Sequence, residues 1–275
     1  MSVTKTGEEM VKEVRKRYGS IAVAGSSCCG PTPATSCCGT AAVSEQLGYR
    51  GADLASVPGE ADLGLGCGAP VGFLELKPGE TVLDLGSGPG LDALLAARQV
   101  GPTGRVIGVD MTPEMLARAR ATAARAGAAQ VEFRDGRLES LPVDDRSVDA
   151  VTSNCVINLV PDKAAVFREV ARVLKPGGRV VVSDIVLERP LPEAVAKDVL
   201  AWVGCVAGAA DRREYFRMVE AAGLAGVTVL KEEDYAESLA RIDPAQAEGL
   251  LQRWGVSPES LRGVVMSVTW RAVRP

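Results

Sequence analysis

Apolar residues along this chain recur with two rhythms. Val11, Val14, Tyr18 and Ile21 fall at helical spacing among charged neighbours and predict an amphipathic helix over residues 5–22. From Glu80 onward, short apolar runs of strand length alternate with helical stretches. Strands are expected at Thr81–Leu85, Arg105–Val109, Val131–Phe133, Val148–Ser153 and Arg179–Ser183, with helices at Leu91–Arg98, Pro113–Ala126 and Lys163–Leu174. Thr112 reads as an N-cap ahead of Pro113, and Lys175-Pro176-Gly177-Gly178 as a helix stop. This alternation predicts an α/β fold with a doubly wound, mostly parallel sheet.

The flanks break the rhythm. Glu193–Ala207 and Asp211–Ala222 read as helices, Gly226–Leu230 as a strand, and Val264–Val273 as a last strand after a polar stretch with a helix or two. The final two strands are expected at the far edge of the sheet. Upstream, Ala24–Ala42 has no period, is rich in Gly, Ser, Thr and Pro, and holds the pairs Cys28–Cys29 and Cys37–Cys38. A short helical piece around Val43–Leu47 and a Gly-rich segment, Leu63–Pro70, follow. The expected organisation is an N-terminal helix and Cys-rich flexible segment over 1–65. A domain over 66–275 follows, in which 188–225 and 231–263 are cap additions on the substrate side.

Composition narrows the chemistry. With 275 residues, 47% hydrophobic and 24% charged, the chain has ample material for a packed core. Thirty-one Lys and Arg against 35 Asp and Glu leave a net charge of −4, which favours neither a nucleic acid nor an anionic membrane as partner. There is no histidine, so Ser–His–Asp and Cys–His nucleophiles and His-ligated zinc are excluded. There are seven cysteines, an odd number in a chain too long to need disulfide staples. The first residues lack the apolar core of a signal peptide and no stretch is long enough to span a membrane. A soluble cytoplasmic protein with reduced thiols is expected.

Asp84-Leu85-Gly86-Ser87-Gly88-Pro89-Gly90 lies between a strand and a helix, where a doubly wound sheet binds ligands. Asp110 ends the next strand, where an acidic side chain can accept both hydroxyl hydrogens of a ribose. Dinucleotide sites space their glycines as G-x-G-x-x-G. Here the pattern is Asp-x-Gly-x-Gly-x-Gly, which resembles the S-adenosylmethionine site of class I methyltransferases. Lys175-Pro176-Gly177-Gly178 is similar to the turn into their fifth strand, and the resemblance covers residues 73–187. It implies a Rossmann-like methyltransferase sheet, with S-adenosylmethionine held by Asp84, Gly86, Ser87, Gly88, Gly90, Asp110, Met111, Leu138 and Asn154. One departure stands out: where many relatives hold the adenine amino group with an acid, this chain has Arg137, leaving that contact to backbone groups and Leu138.

Three cysteines fall where a methyl acceptor would be met. Cys155 follows the fourth strand, Cys67 lies between two glycines ahead of the first, and Cys205 lies in the segment Trp202–Gly208. Leu63–Pro70, Ser153–Leu159 and Trp202–Ala209 closely resemble the arsenite methyltransferases, a resemblance running from Tyr18 to about Gly226. It implies that Cys67, Cys155 and Cys205 bind As(III) as substrate, arsenite or its thiol conjugates, and are the catalytic residues. It also implies an arsenic-detoxifying activity.

The chemistry agrees, because thiolates select soft centres and thiol-bound As(III) keeps a lone pair with no proton to remove. No histidine base is then required. A thiol reductant, glutathione or a thioredoxin-type reductase, is expected to restore trivalent arsenic. Capture of metalloid is the role expected for Cys28, Cys29, Cys37 and Cys38, the alternative being a dispensable flexible segment. Two other readings remain open at this point: a methyltransferase for a small organic acceptor with structural cysteines, and a non-catalytic, thiol-rich metalloid-binding protein.

Overall fold

The computed structural model describes residues 7–24, 40–198, 201–202 and 205–275; Cys28, Cys29, Cys37 and Cys38 lie outside these. After the helix α1 (Gly7–Ala24) come α2 (Thr40–Leu47) and a single turn, α3 (Gly51–Leu54). The alternating unit follows: β1 (Thr81–Leu85), α4 (Leu91–Val100), β2 (Arg105–Asp110), α5 (Pro113–Arg125), β3 (Val131–Asp135), β4 (Val148–Asn154), α6 (Lys163–Val173) and β5 (Leu174–Leu187). The rest comprises α7 (Glu193–Ala196), β6 (Ala210–Asp211), α8 (Arg212–Ala221), β7 (Ala225–Asp234), α9 (Tyr235–Ile242), α10 (Pro244–Trp254), α11 (Pro258–Leu261) and β8 (Val265–Val273).

The strands form one sheet in the order β3-β2-β1-β4-β5-β8-β7, with β6 paired beside the end of β5. Neighbours from β3 to β5 are parallel, while β8 runs antiparallel to both β5 and β7. The fold is therefore the doubly wound, mostly parallel sheet that the alternation predicts, with the last two strands at its edge. From β1 the chain moves outward to β2 and β3 on one side, then crosses back to β4 on the other side of β1. Such a switch point opens a crevice beyond the carboxyl ends of the strands.

Alternate residues of the buried strands feed two cores. On one face Val82, Val106, Ala150 and Val181 pack with α4 and α5; on the other Leu83, Leu85, Val151 and Val182 pack with α6 and α8. Phe167, Tyr215 and Trp270 meet edge to face in the second core, with centroids 5.2–6.1 Å apart. Such contacts add to what burial alone contributes.

Four details differ from expectation. Thr112 has N-cap backbone geometry, but its side chain makes no capping bond; it is turned to Asp110. The helix after β4 ends at Val173, and Leu174 already pairs with Val148, so the Lys175–Gly178 turn is a shift of register within β5. The single helix expected over Glu193–Ala207 stops after one turn at Ala196, and at Cys205 the backbone is left-handed. Packing does not break at residue 65: Leu47, Tyr49, Leu54 and Ala61 are buried with β1 and α4, and α8, placed by the sequence in the cap, is a layer helix of the sheet. Among the described residues no helix is long and apolar enough to cross a membrane.

One ion pair clamps the start of β1 to β5. Arg179, 11% exposed, donates two bonds to the Glu80 carboxylate at 2.9 and 2.7 Å and another to the Glu75 carbonyl. Arg179 holds the Glu80 carboxyl below the ordinary range. Arg179→Met strands that carboxylate and should cost about 3 kcal/mol in urea unfolding at pH 7. Because the folded pKa of Glu80 is depressed, the deficit should be full above about pH 4.5 and shrink as the pH falls through the depressed value.

Candidate functional site

A pocket opens at the carboxyl ends of β1, β2 and β4. Its floor is the Asp84–Pro89 turn, one wall is Asp110–Thr112, and a second is Asn154–Val156. Val11, Val14 and Tyr18 of α1 cover it, together with Tyr49 and the Asp62–Gly66 segment. The residues Asp84, Gly86, Ser87, Gly88, Asp110, Met111, Leu138 and Asn154, singled out by sequence, all line it. Gly90 does not: a Cβ there would lie 2.9 Å from the Phe133 ring, so this glycine serves the packing of α4 on the sheet.

Four buried carboxylates face this pocket: Asp62, Asp84, Asp92 and Asp110. Asp110 is oriented before any ligand arrives, because Gly88 N–H donates to one oxygen at 2.9 Å and Thr112 N–H to the other at 2.8 Å. Burial nevertheless raises its pKa against those bonds. Burial, then the charges of Asp92 and Asp110, push Asp84 well above the ordinary range. Asp92 is pushed up to about 6 by burial, opposed by bonds from Tyr49 and Asn154. Asp84 Oδ2, Asp62 Oδ2 and Ser87 Oγ are buried without a protein partner. The one cation among the lining residues, Arg137, is turned to Glu8 of α1 and to Glu139, at 2.7 and 2.9 Å. Unpaired buried acids of this kind suit a ligand that carries positive charge and hydroxyl donors.

Asn154 lines the pocket, but its amide is engaged by protein. Nδ2 donates to Gly68 O at 2.8 Å and Tyr49 Oη at 2.9 Å, and Oδ1 accepts from Cys67 N–H at 3.0 Å. Its role is thus to hold the Gly-rich segment on the sheet. Glycine is required on both sides of Cys67: a Cβ at Gly66 would lie 2.7 Å from the Asn154 amide and one at Gly68 2.6 Å from Ser183 Oγ.

The structure brings the three expected thiols together. Cys67, Cys155 and Cys205 are 4%, 7% and 3% exposed and share one apolar cluster with Leu159 and Ile185. Cys155 N–H donates to Ser183 O at 2.8 Å, and the Cys205 thiol donates to Cys155 O at 2.7 Å. Cys155 and Cys205 adopt φ of +59° and +66°, a left-handed conformation that non-glycine residues avoid and that concentrates at functional sites. The Cys155 thiol is raised well above its ordinary pKa by hydrogen bonding with Cys205 and Cys67 and by burial. Burial raises Cys67, against bonds with Cys155 and Ser267. Only Cys155 of the three also lines the pocket. Among the described residues no group of three Cys, Asp or Glu side chains is closed tightly enough to hold a metal ion as it stands.

Behind the thiols lies a polar network that the sequence reading missed. Asp184 is fully buried; Asn158 Nδ2 donates to it at 2.7 Å and Tyr215 Oη at 3.1 Å. Burial pushes it up to about 7, opposed by the Ile185 N–H, Lys163 and Tyr215. Lys163 is buried too and is lowered by that burial, which Asp184 and Cys205 oppose. A signal was available, since a lone acid within the run Val180-Val181-Val182-Ser183-Asp184-Ile185-Val186 demands partners. Tyr49 and Asp92 carried no comparable mark.

A family model described as "Methyltransferase domain" matches residues 76–223. An arsenite methyltransferase of Halobacterium salinarum is 47% identical over 251 residues, 88% of this chain and 64% of that protein. One of Aquipseudomonas alcaligenes is 40% identical over 67% of this chain and 54% of its own length, so the chain spans little more than half to about two thirds of these relatives. The crystal structure of an arsenic(III) S-adenosylmethionine methyltransferase from Chlamydomonas reinhardtii superposes with a TM-score of 0.64 at 35% identity, covering 80% of this chain and 71% of that one. A sheet of this order, a pocket at its switch point and a family match over more than half its residues make this chain a member of the methyltransferase-domain family, with the Rossmann-like fold of class I S-adenosylmethionine-dependent enzymes.

Proposed function

We propose that this chain methylates trivalent arsenic bound by Cys67, Cys155 and Cys205, with S-adenosylmethionine as methyl donor. The observation that carries the reading is the double placement of Cys155, whose residue lines the acidic pocket on one side and joins the thiol cluster on the other. The two listed relatives named arsenite methyltransferases support it.

The pocket's residues fit the donor. Asp110 keeps lone pairs for two ribose hydroxyls after its two backbone bonds, and the unpaired Asp84 Oδ2 and Ser87 Oγ supply acceptors for a cationic, amine-bearing end. Met111 and Leu138 offer apolar surface to a base. The donor supplies an electrophilic methyl on a sulfonium, toward which the lone pair of thiolate-bound As(III) is a nucleophile with no proton to lose. The protein's work is then to orient and to exclude water, which needs no histidine. Gathered but unclosed, the thiols draw together around the substrate as it loads. Restoring trivalent arsenic takes two electrons, which two thiols supply on forming a disulfide; glutathione or a thioredoxin-type reductant resets the pair.

Three outcomes follow from the geometry. Cys155→Ser should lower methylated arsenic by about a hundredfold or more, scored by arsenic speciation with glutathione present, while donor affinity holds. Undiminished product in that variant would remove the thiol from the reaction. Asp110→Asn should weaken the donor about thirtyfold in calorimetry, the scale of a lost charge-assisted bond, with As(III) binding retained. Because Asp92 titrates at about 6, protonation removes negative charge from the pocket, so donor affinity should fall as the pH drops through that value. A flat affinity from pH 7.5 to pH 5.5 would detach the carboxylates from donor binding.

A further inference from the structure

Lys163 is the first residue of α6 and is only 8% exposed. An ammonium there is disfavoured twice, by burial and by the positive end of the helix dipole. Asp162 caps the helix by accepting from Ala165 N–H, so Lys163 has no part in starting α6. Nor does it line the pocket. Its placement has to be offset by what the ammonium touches.

Those contacts lie on two separate stretches of chain. Nζ donates to Val160 O at 3.1 Å and Asn158 O at 3.4 Å, in the tight turn directly after Cys155. The same nitrogen stands 5.8 Å over the Trp202 ring. Trp202 O accepts from Cys205 N–H at 2.9 Å, so the ring beneath the ammonium belongs to the residue whose carbonyl holds Cys205. Gly208 then presses on the same carbonyl of Asn158, with room for no side chain: a Cβ would lie 2.3 Å away. An aliphatic side chain could fill this space, but only a cation bonds two carbonyls and an aromatic face together.

We propose that Lys163 is a positioning residue whose ammonium ties the turn after Cys155 to Trp202, the residue bonded to Cys205, and so holds the second and third thiols in register. The idea rests on the thiols acting together, as in the proposed function, but it concerns their distance and can be read without arsenic.

The test uses the full chain and the oxidant diamide, which takes two electrons and two protons from a thiol pair and leaves a disulfide. Formation of the Cys155–Cys205 disulfide is followed by peptide mass spectrometry and divided by the rate at which iodoacetamide alkylates Cys205. A change in thiol reactivity then does not register as a change in distance. Lys163→Met should lower the normalised rate about tenfold, the worth of a buried cation–π contact with its hydrogen bonds, and Lys163→Arg should recover part of it. Donor affinity should stay at the wild-type value in both. An unchanged cross-linking rate in Lys163→Met overturns the proposal, as does a loss matched by equal loss of donor binding, which marks a general structural role. If Lys163→Met does not fold, Trp202→Leu, which removes only the ring beneath the ammonium, carries the same expectation and the same refutation. Wild-type protein that cross-links as expected but yields no methylated arsenic would leave Lys163 its role and remove the arsenic reading.

Discussion

The amide of Asn154 is the joint on which both halves of the site depend. β4 ends there, and a single side chain with two donors and one acceptor group reaches back to residues far upstream, binding Cys67, Gly68 and Tyr49. The Gly-rich segment could not come so close without Gly66 and Gly68, and it would have little reason to stay without the amide. One residue later the chain turns through the left-handed region at Cys155. The order Asn–Cys at the strand end thus sets where the first thiol is held and where the second points. Tyr49 extends the joint to Asp92, so the loop that carries a thiol and the carboxylates of the pocket share one hydrogen-bonded frame.

Charge is divided between the two compartments. The pocket gathers acids, burial raises Asp84, Asp92 and Asp110 above the ordinary carboxylate range, and the one cation among its lining residues, Arg137, is turned to Glu8 and Glu139. The thiol side is apolar; burial raises Cys67, and hydrogen bonding with Cys205 and Cys67, followed by burial, raises Cys155. In each compartment burial disfavours the ionised form, which gains most from a specific occupant: a cation for the carboxylates, a thiophilic centre for the sulfurs. Desolvation contributes to both. It also separates them, because a charged cofactor gains little from the apolar cluster and a soft centre little from the acids.

What could be read from the chain follows from how local each signal is. The strand–helix rhythm and the Asp84–Gly90 turn are contiguous, so the sheet, its edge strands and most of the pocket were legible. Cys67, Cys155 and Cys205 were legible as three contexts, though their approach is set by tertiary contacts that no spacing encodes. Gly90 reads like its neighbouring glycines because a glycine needed for a ligand and one needed beside Phe133 look alike in sequence. Asn154 reads as a pocket residue because its position on the wall is local information, whereas its partners Cys67, Gly68 and Tyr49 are not. The helix expected to run to Ala207 fails for a related reason: Trp202–Ala207 has helical composition, but at Cys205 the backbone is left-handed and the thiol is bonded to Cys155 O, a contact that composition does not encode.

Arg137 marks where this pocket departs from the pattern it otherwise follows. An acid at that position would add a fifth carboxylate to four that burial already disfavours. The arginine instead pairs with Glu139 and with Glu8, on the helix whose Val11, Val14 and Tyr18 close the pocket. Exposed pairs of this kind contribute little stability by themselves. Their effect is on placement, since they fix the N-terminal end of α1 over the opening while apolar contacts seal it. Arg137 thus makes a contact to the cover of the pocket. Adenine in such a pocket would be recognised by shape and backbone groups beside Leu138 rather than by an acidic side chain.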